Sequence, residues 1–280
     1  MMISIRRIFK GQKVITVCTT ILTILFIIAV FAPWIAPHHP ADVHMVYKLQ
    51  PPSWEFPLGT DHLGRCNLSR LLYGARISLG FAMLIFISSL VIGLIVGTIS
   101  GYKGGWIDQL LMRCCDGVMA FPNLILVLGL VGIFGPGLPQ VILALMLVQW
   151  VYYARIFRGM VLSLKEENFI AAAKINGSSQ WKIIKNHIIP NVLPPLVVIG
   201  TLEMGWAIMD ISAMSFLGLG VQPPAAEWGA MIHEGKSYIR SNPGLMIYPG
   251  VMIMIVVVTF NLLGEAYQIN TVSNVDFKKE

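Results

Sequence analysis

Charge is the scarcest property of this 280-residue chain: Asp, Glu, Lys and Arg together make up 12% of it, about half the share in a soluble domain. A surface facing water cannot be covered at that density, so a soluble globular protein is excluded. The hydrophobic set reaches 56% and mean hydropathy is +0.72, which excludes a disordered chain. Glycine and proline follow no collagen period. Cysteine is sparse. Cys18, Cys66, Cys114 and Cys115 have neither CxxC nor zinc-ligand spacing, so they read as small packing residues rather than a disulfide framework.

Motifs for chemistry are missing as well. No GxxxxGK[ST] occurs, so this chain holds no ATP through a phosphate loop of its own. His233–Glu234 is followed by Lys236 and Ser237 instead of a second His, and there is no GxSxG. His38 and His39 lie between Pro37 and Pro40 and read as loop residues. The expectation is no enzyme, no catalytic residue, no metal ligand and no cofactor in this chain.

Long apolar runs are what the sequence has in abundance. A spanning helix needs about 20 mostly apolar residues, because a hydrocarbon core is about 30 Å thick and each residue rises about 1.5 Å. Six runs qualify, at 14–36, 77–100, 114–134, 138–154, 194–217 and 246–267. The first follows basic residues but is too long for the core of a signal peptide, and no A-x-A site ends it, so it reads as an uncleaved span. The predicted fold is an all-α polytopic membrane protein with six transmembrane helices. Three parts follow from the runs: 1–76, with the first span and an outer loop; a core at 77–267; and a tail at 268–280.

Net charge is +6. In a membrane protein that excess sets orientation rather than marking a nucleic-acid partner. Arg6, Arg7, Lys10, Lys13, Lys103, Arg113, the six basic residues of 155–193, Lys278 and Lys279 fall on one side of the six spans. Lys48, Arg65, Arg70, Arg76, Lys236 and Arg240 fall on the other. The richer side is expected to be cytoplasmic, with both termini inside.

The cytoplasmic loop at 155–193 contains KEENFIAAAKINGSSQWKIIKNHIIPNVL. Glu166, Glu167 and Asn168 suit a helix start. Ala171, Ala172 and Ala173 favour helix and let another surface come close. Gly177 can end that helix in the left-handed conformation, and Ser178 or Ser179 can cap the next. Trp181, Ile184 and Ile188 then recur at helical spacing, and Pro190 is expected to stop the second helix. An amphipathic connector on the membrane surface and a docking element for a soluble partner both fit this pattern.

Five blocks resemble one family: PLGTDHLGRCNLSRLLYGARISL (57–79), GYKGGWIDQLLMRCCDGVMAFPNLIL (101–126), the cytoplasmic loop, SFLGLGVQPPAAEWGAM (215–231) and YPGVMIMIVVVTFNLLGE (248–265). They resemble the inner-membrane permease subunits of binding-protein-dependent ABC importers, in the dipeptide, oligopeptide and nickel branch. The loop resembles that family's coupling loop, although Ala171 stands where Glu is usual. Cys66 replaces an outer acid, Ile211 replaces the acid before SFLGLG, and the usual charged ending is absent. The resemblance implies the type I importer permease fold in a bacterial cytoplasmic membrane. It implies a second permease sharing one pathway, two ATP-binding subunits that bind ATP and Mg, and an external solute-binding protein. It implies ATPase coupling through Ala171, Ala172, Ala173, Gly177, Trp181, Ile184 and Pro190.

Glu203 and Asp210, seven apart in the fifth run, share a helix face. An acid near the bilayer centre costs at least about 2.5–3.5 kcal/mol, so both are expected to face the bundle interior. Interhelical hydrogen bonding and lining of a pathway are both open readings. Arg113 and Asp116, at helical spacing, are expected to pair. The rival function is a self-sufficient secondary transporter or channel, which would need inverted repeats or broken helices around an ion site. Neither pattern is visible in the sequence.

Overall fold

The apolar runs become helices, and among the described residues no strand forms. The structure, a computed structural model, describes the backbone of residues 2–276 and the side chains of 12–269 except Val197. The side chains of Arg6, Arg7 and Lys10 lie outside this set, as do Lys278 and Lys279. Among the described residues ten α-helices follow in order: α1 (Met2–Ile35), α2 (Asn67–Lys103), α3 (Gly105–Met119), α4 (Asn123–Phe134), α5 (Leu138–Lys165), α6 (Asn168–Ile175), α7 (Gln180–Ile183), α8 (Ile189–Phe216), α9 (Trp228–Gly235) and α10 (Gly244–Asp276). Four of them are long and apolar enough to cross a membrane, and six spans result if each of two bent helix pairs counts as one.

The chain divides into two compact units. The first comprises residues 1–84, 131–142 and 201–280. Here α1 packs on α10, and α10 on α9. A Cβ on Gly264 of α10 would come within 2.8 Å of Thr201 Oγ1 on α8, so the absent side chain sets how closely these two helices approach. The connection at 218–245, expected as loop, folds α9 into this unit. Glu227 caps α9, its Oε2 accepting from the Ala230 N–H at 2.9 Å while Oε1 accepts from Ser78 Oγ at 2.9 Å. Trp228, fully buried, donates from Nε1 to the Leu71 carbonyl at 3.1 Å.

The second unit comprises residues 85–130 and 143–200. Its organising device is a glycine ridge, Gly93, Gly97 and Gly101, one every fourth residue along α2. Such spacing places all three on one face and lets helix backbones meet closely. An added Cβ would lie 2.4 Å from Tyr153 Cβ at Gly93, 2.4 Å from the Ala154 carbonyl oxygen at Gly97, and 3.0 Å from the Arg158 carbonyl oxygen at Gly101. The α2–α5 contact is therefore nearly backbone to backbone. Beside it Arg158 on α5 donates to Asp108 on α3 through Nε (2.5 Å) and Nη2 (2.7 Å), and Ser100 Oγ donates to the same carboxylate.

Two expectations are corrected by these elements, and a third gains a partner. The run at 114–134 is not one straight helix: α3 and α4 meet at 88°. Pro122 lacks an N–H and restricts Phe121, so the helix ends before them. The expected Arg113–Asp116 pair is present at 3.9 Å, with Arg113 largely exposed, and Asp116 also pairs with Arg155 on α5. Pro190 does not stop a helix. It is the second residue of α8, preceded by a π-helical turn at Ile184–Ile188. That widened turn gives room to the ring and takes up the loss of its N–H. Two further boundaries differ: α5 continues to Lys165, through the start of the expected loop, and α10 continues through the expected tail as far as Asp276.

Candidate functional site

The loop between α5 and α8 is held by local rules and by a core. Glu167, extended, precedes α6. At the other end the Gly177 N–H bonds the Lys174 carbonyl and the Ser178 N–H bonds the Ala173 carbonyl, both at 3.0 Å. That pair is the Schellman arrangement, and Gly177 supplies its left-handed residue at φ +75°. Ser179 Oγ accepts from the Lys182 N–H at 3.4 Å and starts α7. Ile170, Ala173, Ile183 and Ile188 then join Tyr153, Phe157, Val161 and Tyr102 in one core. Fully burying an isoleucine contributes about 1.5–3 kcal/mol, so three of them fix the loop firmly to α5.

What remains outside is an apolar face. Ala171 and Ala172 are exposed, as are Phe169, Ile175 (85%) and Trp181 (70%). The residues expected to couple thus separate. Ala173 belongs to the core and Ile184 is half-buried, whereas Ala171, Ala172, Gly177, Trp181 and Pro190 are exposed. Ile175 and Phe169 join them, which the alanine run did not signal. Lys174, Lys182 and Lys185 are exposed around the face.

Glu203 and Asp210 are both half-buried on α8, and both have interacting neighbours.

A charge cluster that the sequence did not reveal occupies the first unit. Asp61 Oδ2 accepts from Arg65 Nε at 2.6 Å and Arg70 Nη1 at 2.5 Å. Glu234 Oε2 accepts from Arg65 Nη2 at 2.6 Å and Arg70 Nη1 at 2.7 Å. Asp61 Oδ1 also takes the N–H groups of Leu63 and Arg65 at 2.8 and 2.9 Å. Burial alone raises the Asp61 carboxyl, but the Arg70 and Arg65 charges and these two N–H groups outweigh it. Its pKa is held below the ordinary carboxylate range. Asp61, His62 and Glu234 bring potential ligand atoms within 4.8 Å of one another. Two guanidiniums already occupy both carboxylates, so the arrangement suits a balanced ionic clasp better than a cation. The clasp ties the segment between α1 and α2, and the start of α2, to α9.

Among the described residues the chain is all helical, with helices long and apolar enough to cross a membrane and an exposed apolar face on the loop between α5 and α8. A chain of the MetNI methionine ABC transporter, solved in an inward-facing conformation, has this fold, with TM-score 0.57 at 21% identity over 74% of this chain and 97% of that one. Residues 89–269 match the model of the binding-protein-dependent transport system inner membrane component, and residues 2–52 match the N-terminal TM domain of oligopeptide transport permease C. The dipeptide transport system permease protein DppC of Alkalihalophilus pseudofirmus is 40% identical over 91% of this chain and 84% of its own. The nickel transport system permease protein NikC of Escherichia coli K12 is 40% identical over 88% of this chain and 89% of its own. The glutathione transport system permease protein GsiD of Escherichia coli O6:K15:H31 is 36% identical over 92% and 85%. This chain belongs to the inner-membrane permease components of binding-protein-dependent ABC importers. The bent helix pairs, a feature sought for the secondary-transporter reading, therefore occur within an importer permease.

Proposed function

We propose that this permease imports small peptides or nickel chelates, sharing its pathway with a second permease. Support comes from relatives of 35–40% identity whose cargoes are dipeptides, D,D-dipeptides and nickel. Two ATP-binding subunits, which hold ATP and Mg, dock on the loop at 155–193, and a solute-binding protein delivers cargo from outside. Both termini face the cytoplasm, as the distribution of Lys and Arg favours.

The observation carrying the coupling role is the exposed apolar face on α6 and α7, backed by buried Ile170, Ile183 and Ile188. A face fixed to α5 transmits a push from below, whereas a tethered one would absorb it. Closure of the ATPase pair then biases a two-state bundle, which is allosteric coupling. Glu203 and Asp210 line the pathway, where half-buried acids suit passage of polar or cationic cargo.

The test is uptake of labelled dipeptide and of nickel by proteoliposomes containing the assembled complex and its binding protein. ATP-dependent uptake of one of them is expected. Uptake driven by the purified single chain without ATP would support the secondary-transporter reading instead.

A further inference from the structure

Within the first unit a groove opens between α1, the first part of α2, α8 and α10. It encloses about 500 Å3, in the range of about 300–1,000 Å3 usual for ligand sites. Leu25 and Met204 are buried at its floor, and Phe26 and Met83 stand exposed at its edges. Its lining on α1 runs from Leu22 to Val30, about 12 Å of helix at about 1.5 Å per residue. Half a hydrocarbon core is about 15 Å. The groove therefore has the length of a segment of acyl chain.

One charged side chain lines it, Arg76, which is exposed. The His38 N–H bonds Ser69 Oγ at 3.0 Å, so the end of α1 lies beside the start of α2. Arg76 accordingly belongs to the Val30 end of the groove and Met83 to the Leu22 end. Among the described residues no carboxylate lies within ion-pair distance of Arg76. The two buried arginines on the same stretch, Arg65 and Arg70, are both paired. A cation on an apolar helix calls for an anion at membrane depth, and a guanidinium matches a phosphate through bidentate charge-assisted hydrogen bonds.

We propose that this groove seats one acyl chain of an anionic phospholipid, with the phosphate held by the Arg76 guanidinium. The inference rests on the membrane placement that family membership brings and not on the cargo or the coupling loop. Bound there, the lipid joins α1 to the rest of the first unit.

The experiment is native mass spectrometry of the assembled complex in detergent, with phosphatidylglycerol added back. Specific retention by the wild type is expected. Arg76→Gln should lower it about fivefold, the loss for one exposed ion pair, while Arg76→Lys retains it. Gly80→Leu tests the apolar part without touching charge, because a Cβ at Gly80 meets nothing within 4 Å and the new side chain fills the groove. It should reduce retention in a complex that assembles normally. Equal retention by wild type, Arg76→Gln and Gly80→Leu overturns the proposal. A photo-crosslinking residue at position 83 should yield a lipid adduct, and an adduct to another polypeptide would show that a partner subunit covers the groove and would overturn it too.

Discussion

Asp61 and Glu234 accept hydrogen bonds from the same two guanidiniums, those of Arg65 and Arg70, although one lies between α1 and α2 and the other on α9. Two buried cations and two carboxylates balance, so each group is neutralised only while all four are present. Removing one partner of a buried pair costs about 3–5 kcal/mol, because the remaining charge is stranded. Glu234→Gln should therefore lower the detergent-solubilised melting temperature much more than Glu55→Gln in the exposed part of the same loop. Equal shifts would contradict the clasp.

The clasp also has a pH dependence with a definite sign. The folded pKa of Asp61 is depressed, so its contribution is fully present above the unfolded value of about 3.9. It is lost as pH falls through the folded value below that. Between pH 5 and pH 2 the wild type should lose more thermal stability than Asp61→Asn. Parallel losses would show that the arginines do not stabilise the carboxylate.

The glycine ridge predicts a graded packing defect. Gly97→Ala forces a Cβ to 2.4 Å from the Ala154 carbonyl oxygen, and overpacking of this kind costs about 1–3 kcal/mol. Gly117→Ala on α3 meets nothing within 4 Å and should be neutral or slightly stabilising. Thermal melts of the two variants check the contrast, and a Gly97→Ala protein as stable as wild type would contradict the α2–α5 contact.

Orientation is tested by single-cysteine labelling in a Cys114→Ser background, since Cys114 is the exposed one of the four cysteines. Asn176→Cys, exposed on the loop, should react only from the cytoplasm, and Ala225→Cys, exposed beside α9, only from outside. Labelling of position 176 in sealed cells would reverse the assignment.

How much of this was legible in the sequence depended on range. Gly177 could be read because a Schellman end is decided by neighbouring residues, and its φ of +75° follows from them. The spans could be read because lipid imposes about 20 apolar residues. Pro190 was misread because a proline normally ends a helix, and the π-helical turn that admits it at Ile184–Ile188 leaves no single-residue mark. The Arg158–Asp108 pair and the four-residue clasp join distant segments, which residue spacing cannot reveal. The glycine ridge is different, for glycine at every fourth position of α2 was a visible signal of close helix packing.

The central claim is that the exposed face of α6 and α7 docks the ATPase subunits, and co-purification with ATP-driven uptake tests it most directly. Ala172→Asp and Ile175→Asp put an acid on that face at exposed positions, where the permease itself should remain folded. Gly177→Val instead strains the left-handed position by roughly 1–2 kcal/mol without a clash, since a Cβ there meets nothing within 4 Å. All three should insert at normal abundance, lose bound ATPase subunits at least tenfold and abolish uptake. Gly177→Asn, which tolerates positive φ, should retain both. If the three variants keep their ATPases and transport at the wild-type rate, the loop is a surface connector and the coupling assignment is wrong.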